Sequence, residues 1–317
     1  MRIHVKTPSR LHFGIIDLAG NLGRGYGAIG LAIDEPGYEI LAEESKKLEV
    51  IGSGEDVELT RKIAEKVARL YGFPAEAKIS ILDNIPRHVG LSSTTQLTLA
   101  VATAITKLYG AEASPIEIAD RTGRGKISGI GTYAFAVGGF IADGGVKRGR
   151  FPPLIFRCEF PEKWRFVVAT PEVKRRLDEK AEEKLFRRAT APAGIARAIC
   201  HLLVMKMLPS LIETDIGSFG QALTEVQKLV GKAFSPYQGG IFRGRIVTDV
   251  VNHMLKHGAY GVGQSSWGPT VYGLAENVDH ADELMEKVKK FLQSRDRKAV
   301  VRVVKPNNRG AKVKIEA

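Results

Sequence analysis

Cysteine is almost missing from this chain: 317 residues contain two, Cys158 and Cys200. Two thiols cannot build a disulfide framework, and neither stands at metal-ligand spacing from another ligand, which sets structural zinc aside. His201, His253 and His257 fall on predicted helices without a metal spacing either. There is no uninterrupted apolar run of bilayer length, and Met1–Arg10 is polar and strand-like rather than a signal peptide, so a cytoplasmic protein without a membrane partner is expected. Internal repeats and low-complexity tracts are absent. Asn, Gln and Cys are few beside abundant Lys and Glu, a thermophile-like balance. What is present is a globular composition, 44% hydrophobic and 26% charged, long enough for two domains.

The net charge of +12 raises the possibility of a nucleic-acid partner. The basic groups are scattered, however. Lys174–Arg176, Arg187-Arg188, Lys287–Lys290 and Arg295–Lys298 lie among acidic residues, and no arginine-rich tail or RNA-recognition motif occurs. Small anionic substrates are the expected partners, and an RNA-binding protein is the remote alternative.

The most informative stretch is Pro86-Arg-His-Val-Gly-Leu-Ser-Ser-Thr-Thr-Gln96, which runs into an apolar helical pattern at Leu97, Ala100, Val101, Ala104, Ile105 and Leu108. Unpaired backbone N–H groups and the helix dipole make such a helix start an anion site. Gly90 permits close approach, and Ser92, Ser93, Thr94 and Thr95 add donors. Plain N-capping explains the same hydroxyls equally well.

Along the rest of the chain, strands are predicted at Arg2–Thr7, Leu11–Asp17 and Ile29–Ile33, with a glycine-rich loop at 21–27. A helix over Val57–Tyr71 and a strand at Ala77–Asp83 follow, and Ser114-Pro-Ile-Glu117 is a capping box. Strands are expected at Phe140–Asp143, Pro153–Phe160 and Trp164–Thr170. Helices are expected at Asp178–Ala189, Ala191–Met207, Thr214–Val230, Ile246–His257 and from Asp279, with a last strand at Ala299–Val304. This is an α+β pattern. Composition shifts near Val146-Lys-Arg-Gly-Arg150 and Pro152-Pro153, which divides the chain into 1–155 and 156–317.

Four segments occur in an informative order: Pro8-Ser-Arg-Leu-His-Phe-Gly-Ile-Ile-Asp17, Gly30-Leu-Ala-Ile-Asp-Glu-Pro36, Gly123-Arg-Gly-Lys-Ile-Ser-Gly-Ile-Gly131 and Gly261-Val-Gly-Gln-Ser-Ser-Trp-Gly-Pro-Thr270. With the Pro86 loop, they resemble the galactokinase, homoserine kinase, mevalonate kinase and phosphomevalonate kinase (GHMP) superfamily. Within it they resemble the archaeal β-ribofuranosylaminobenzene 5′-phosphate synthases of methanopterin biosynthesis. The resemblance implies a two-domain fold, the first domain like ribosomal protein S5 domain 2 and the second ferredoxin-like.

Three positions depart from the kinases of that superfamily. Arg10 stands for the first-motif lysine, and Ser92 for the second-motif glycine. Gly131 stands seven residues before Gly138-Gly139, where the kinases place an aspartate. An ATP-dependent kinase of the superfamily is therefore the alternative rather than the expected activity.

The resemblance implies decarboxylating phosphoribosyl transfer from phosphoribosyl pyrophosphate to 4-hydroxybenzoate or 4-aminobenzoate, without ATP and with Mg2+. It places Arg10, Arg24, Arg124 and Lys126 as anion-binding cations, with Asp17 or Asp143 on the metal. His12 and His88 are candidate site groups; the alternatives are a solvated strand face for His12 and a turn for His88. Asp17 and Asp143 are also natural turn formers. Gln264, Ser266 and Trp267 form a late polar loop whose indole either stacks on the aromatic acid or closes the domain interface. A homodimer is the expected assembly.

Overall fold

Alternation sets the first strand: Ile3 and Val5 are fully buried while their neighbours face outward. The computed structural model describes residues 1–147, 149–173 and 179–316. Its first half runs β1 (Arg2–Lys6), β2 (Ser9–Asp17), β3 (Tyr26–Ile33), β4 (Glu39–Glu44), β5 (Glu49–Ile51), α1 (Glu55–Tyr71) and β6 (Ala77–Asp83). It continues with α2 (Ser93–Leu108), α3 (Pro115–Thr122), α4 (Ile130–Ala136), β7 (Phe140–Asp143) and β8 (Leu154–Cys158). The capping box forms as expected: Ser114 Oγ accepts from Glu117 N at 3.1 Å. The second half runs β9 (Arg165–Pro171), α5 (Glu179–Arg188), α6 (Ala193–Leu202), a π-helical turn at Leu203–Met207 and α7 (Leu208–Ile212). Then come α8 (Ile216–Gln238), α9 (Arg245–Lys256), β10 (Val262–Gln264), β11 (Val271–Ala275), α10 (Val278–Gln293), β12 (Ala299–Val304) and β13 (Lys312–Glu316). The basic cluster Lys174–Arg176 and the first residue of the helix expected from Asp178 lie outside the described residues.

Three sheets organise these elements. One has the order β13-β1-β4-β6-β5, a second β2-β3-β7-β8 and a third β10-β11-β9-β12. In the third sheet every neighbouring pair is antiparallel. Its strands and intervening helices follow a strand–helix–strand–strand–helix–strand sequence, the ferredoxin-like arrangement. α2 is the central helix of the first half, with its apolar positions and Thr98, Thr103 and Thr106 buried.

Two features cross the expected division of the chain. β8 pairs with β7, so residues to Cys158 stay with the first half. β13 returns to pair with β1, and the loop before it packs under Gly138-Gly139, with Gly139 N donating to Asn307 O at 2.7 Å. The last residues of the chain thus complete the sheet that the first ones begin.

The stretch Ala193–Ile212 qualifies the expectation of no bilayer-length apolar segment. By length and composition it is a helix able to cross a membrane, and 28% of its most apolar window is buried. Its buried apolar residues, Ile199, Leu203, Met207 and Leu211, recur every four positions and pack with Phe219, Leu223 and Val226 of α8. That spacing is the signature of one helical face laid on the core.

Candidate active site

The start of α2 meets β2, the 123–129 loop, α5 and the loop after β10 around a polar cleft of about 420 Å3. Arg10, His12, Ser92, Thr95, Arg124, Lys126 and Ser266 all line it, as do Lys66, Ser128, Gly131, Glu182, Glu183 and Phe186. A contiguous recess of about 100 Å3 adds His88, Gly90, Ser93 and Thr94. The helix start does not use its serine for capping: Ser92 has φ 69° and makes no side-chain cap hydrogen bond. Its hydroxyl faces the cleft instead.

Beside this cleft lies a small apolar pocket of about 40 Å3, walled by Phe186, Phe234, Phe242 and Trp267. Phe234 and Phe186 meet the Trp267 ring edge-on at 4.9 and 5.5 Å between centroids. His12, Ile15, Phe186 and Ser266 border both cavities, so the polar cleft and the aromatic pocket share one wall.

The wall is held by a latch between the two halves of the chain. Arg10 donates to Gly90 O at 2.6 Å, and Ser265 Oγ donates to the same carbonyl at 2.7 Å. Ser265 Oγ also accepts from His12 N at 2.9 Å. Gly90 has φ +86°, and a Cβ there would stand 2.2 Å from Ser265 O, so only glycine lets the two loops touch. Burial lowers the Arg10 guanidinium to about 10, a shift opposed by the nearby Glu182 carboxylate. Arg10 is still a cation at neutral pH. Its Nε has no partner among the described residues. His12 is 6% exposed, and burial followed by the charge of Arg10 pushes its pKa well below the usual value, leaving a neutral ring.

Several expected site residues are placed elsewhere. Arg24 lines neither cavity; its guanidinium donates to Gly145 O at 2.9 Å, tying the 20–25 loop to the turn after β7. Asp17 accepts from Ala19 N at 2.8 Å and Gly20 N at 3.2 Å, a self-contained turn. Asp143 is fully buried and accepts from Gly129 N at 2.8 Å and Gly145 N at 2.9 Å, so its oxygens organise backbone rather than face the cleft. Burial raises its pKa to about 6 despite these donors. Gln264 lines the apolar pocket but spends its amide on Arg243 N at 2.7 Å and Ser266 O at 2.8 Å, shaping the loop that carries Trp267.

Sequence reasoning missed Lys66, Ser128, Glu182, Glu183, Phe186, Gln227 and Phe234. Ser128 lies inside a quoted signature, but the others sit on helices whose patterns do not separate a pocket wall from a core face. Gln227 donates to Phe13 O and accepts from Gln264 N at 2.8 Å, fastening α8 to both β2 and β10.

Gly131 settles the geometry of the missing kinase carboxylate. A Cβ at this position would stand 2.4 Å from Ser92 Oγ and 3.3 Å from Thr95 Cγ2. Neither Asp17 nor Asp143 fills that space; the Ser92 hydroxyl does.

Residues 58–139 match the family of GHMP kinases N terminal domain, and residues 207–294 the GHMP kinases C terminal family. The chain is 34% identical to the beta-ribofuranosylphenol 5'-phosphate synthase of Archaeoglobus fulgidus, across 99% of this chain and all of that protein. It is 31% identical to the protein of that name from Methanocaldococcus jannaschii, across 98% and 99% of the two chains. A mevalonate kinase crystal structure superimposes with a TM-score of 0.69 at 18% identity, covering 96% of this chain and 99% of that one, a likeness of fold. The chain is a member of the GHMP kinase superfamily, an α+β enzyme that groups with the proteins named beta-ribofuranosylphenol 5'-phosphate synthase.

Proposed function

We propose that this protein transfers a phosphoribosyl group from phosphoribosyl pyrophosphate to 4-hydroxybenzoate or 4-aminobenzoate, with loss of CO2. The observation that carries the reading is the shared wall: a cation-rich polar cleft and an aromatic-lined pocket open onto the same His12 and Ser266. A charged sugar phosphate and a flat apolar acid need neighbouring cavities of those two kinds.

In this reading the diphosphate lies on the Gly90–Thr95 loop, where backbone N–H groups and hydroxyls receive the charge that develops on departure. Arg10, Arg124 and Lys126 neutralise phosphate and carboxylate oxygens. The ring lies against the packed Phe186, Phe234 and Trp267 cluster, where Phe186 and Ser266 border both cavities, with its carboxylate-bearing carbon toward the cleft. As the C1–O bond to diphosphate breaks, that ring carbon bonds to C1. The carbon–carbon bond to the carboxylate then breaks, CO2 leaves, and its electron pair restores the aromatic ring.

Magnesium fits this site without a dedicated cage. Among the described residues no group of three or more His, Cys, Asp or Glu side chains gathers to hold a metal. Glu182 and Glu183, with the Ser92 and Thr95 hydroxyls, line the cleft, and Mg2+ characteristically uses one or two carboxylates plus waters and substrate phosphates. Those residues, rather than Asp17 or Asp143, would hold it. Bound there, the ion would neutralise diphosphate charge.

The test is release of CO2 from carboxyl-labelled 4-hydroxybenzoate, with 4-aminobenzoate in parallel and ATP replacing the ribosyl donor in a control. Release that depends on phosphoribosyl pyrophosphate supports the reading. Turnover of ATP without CO2 release replaces it with a kinase, and a site at Gly131 that works without its carboxylate would then need explaining. RNA binding above non-specific background, with an affinity that falls steeply as salt rises, would point instead to the RNA-binding alternative.

A further inference from the structure

Asp143 is buried behind His12, with the half-buried, cleft-lining Ser128 linking the two, and the reaction above gives neither a task. His12 Nε2 lies 3.4 Å from Ser128 Oγ, and Ser128 Oγ lies 3.4 Å from Asp143 Oδ2. These are long contacts of the kind that tighten when a site closes on its ligand. A serine hydroxyl has a single proton to give. Asp143 is held as an acceptor by Gly129 N and Gly145 N at 2.8 and 2.9 Å, so above its titration range it has no proton of its own to offer. The hydroxyl proton therefore goes to the carboxylate. Ser128 Oγ is left to accept, from Ile130 N at 3.2 Å and from His12. In a neutral ring, one nitrogen donates and the other accepts. Nε2 must then carry the hydrogen, which leaves Nδ1 with the lone pair and no hydrogen-bond partner among the described residues.

We propose that Ser128 and Asp143 are positioning residues that fix His12 as its Nε2–H tautomer, so that the Nδ1 lone pair faces the junction of the cleft and the aromatic pocket. This rests on the phosphoribosyl-transfer reading for its purpose. The sugar carbon becomes cationic as diphosphate leaves, and a lone pair beside it is favourable where an N–H or an imidazolium would be repulsive. An acceptor there also takes a hydrogen bond from a ribose hydroxyl, an interaction that strengthens as the ring gains positive charge. Arg10 on the same strand, Arg124 and Lys126 from the opposite loop, Lys66 from α1, and Glu182 and Glu183 from α5 are the charged groups around the cleft. His12 is the neutral acceptor among them.

The experiment has two readouts on the full-length protein. Nitrogen-15 NMR of histidine-labelled, ligand-free protein at pH 8 reads the tautomer directly in wild type, Ser128→Ala and Ser128→Thr. The expected result is an Nε2–H ring in wild type and in Ser128→Thr, and a mixture of tautomers in Ser128→Ala. In the CO2-release assay, Ser128→Ala is expected to lower kcat about tenfold to a hundredfold with the KM for phosphoribosyl pyrophosphate within twofold. Ser128→Thr restores it. An Nδ1–H ring in wild type, or a tautomer indifferent to Ser128→Ala, overturns the proposal. An Nε2–H ring that depends on Ser128 in a protein without CO2 release supports the positioning and overturns the activity instead.

Discussion

Replacing Gly90 by alanine tests the latch between the two halves of the chain. The new Cβ would lie 2.2 Å from Ser265 O and 3.2 Å from Ser265 C, both backbone atoms. Backbone cannot rotate away as a side chain can, so the loops must part. Two costs combine. An alanine at φ +86° bears strain of about 1–2 kcal/mol. Forcing an extra carbon into a filled contact adds about 1–3 kcal/mol. The sum, about 2–5 kcal/mol, is a large share of the roughly 5–15 kcal/mol that holds a folded domain. Gly23 provides the control: its φ is +76°, yet a Cβ there meets nothing within 4 Å. Gly23→Ala should therefore show the conformational cost alone. Urea unfolding of both variants gives the two free energies, with an unchanged slope showing that the same surface is exposed. Gly90→Ala should be the less stable of the two by about 1–3 kcal/mol. It should also lose turnover, because Gly90 O anchors Arg10 and Ser265. Equal destabilisation in the two variants would refute the close contact as a determinant of the fold.

Other consequences are equally measurable. Gly131→Ala alone should destabilise, whereas Ser92→Gly removes both the facing hydroxyl and a residue at φ 69°. Thermal unfolding of the two singles and the double should reveal coupling of about 1 kcal/mol, and additivity would show that Ser92 simply rotates aside. Trp267→Phe should raise KM for the aromatic acid about tenfold, or about 1.4 kcal/mol, while KM for phosphoribosyl pyrophosphate holds; a change in the latter alone would place the ring elsewhere. Asp143 titrates near 6 when folded, above its usual value, so the native state holds the proton more tightly than the unfolded chain. Its contribution is favourable below about pH 4 and falls as pH rises toward 6, by a total on the order of 2–3 kcal/mol. Asp143→Asn should flatten that fall when stability is followed from pH 4 to 7, and an unchanged slope would contradict it. His12 has the opposite sign: its depressed pKa makes stability fall as pH drops through the range where an unfolded histidine gains a proton.

Much of the scaffold was readable because alternation and punctuation agree. Ala77–Asp83, Phe140–Asp143 and Ala299–Val304 form with the predicted bounds. Where prediction stopped short, tertiary chemistry took over. α8 was expected to end at Val230 but continues to Gln238 through Pro236. The proline removes the donor to Lys232 O, and the Ser235 hydroxyl supplies one at 3.0 Å. β13 escaped notice because its five residues are all exposed, on an edge whose place depends on the distant β1. The candidate site divides along the same line. Its loop residues carry local signatures, whereas Phe186 and Phe234 lie on separate helices and meet Trp267 only in three dimensions. Arg24 and Asp17 misled because a glycine-rich loop needs its own fastening, and those two side chains provide it.

Ser92 and Gly131 look like two unrelated departures from the kinase pattern when read along the chain. In space they are one exchange, since the hydroxyl of the first stands where the side chain of the second would begin. A side chain can return at 131 only if the Ser92 hydroxyl rotates away, which ties the two positions together. The exchange also changes the electrostatics in a consistent direction. Removing a negative group beside the Gly90–Thr95 loop leaves Arg10, Arg124 and Lys126 with more net positive potential in the cleft. Phosphoryl transfer to an alcohol benefits from a carboxylate that handles the hydroxyl proton. Departure of a diphosphate from a sugar carbon has no such proton to move, and gains from positive potential near the leaving group. The same scaffold, with one carboxylate traded for a hydroxyl, is thereby better matched to releasing an anion than to activating a nucleophile.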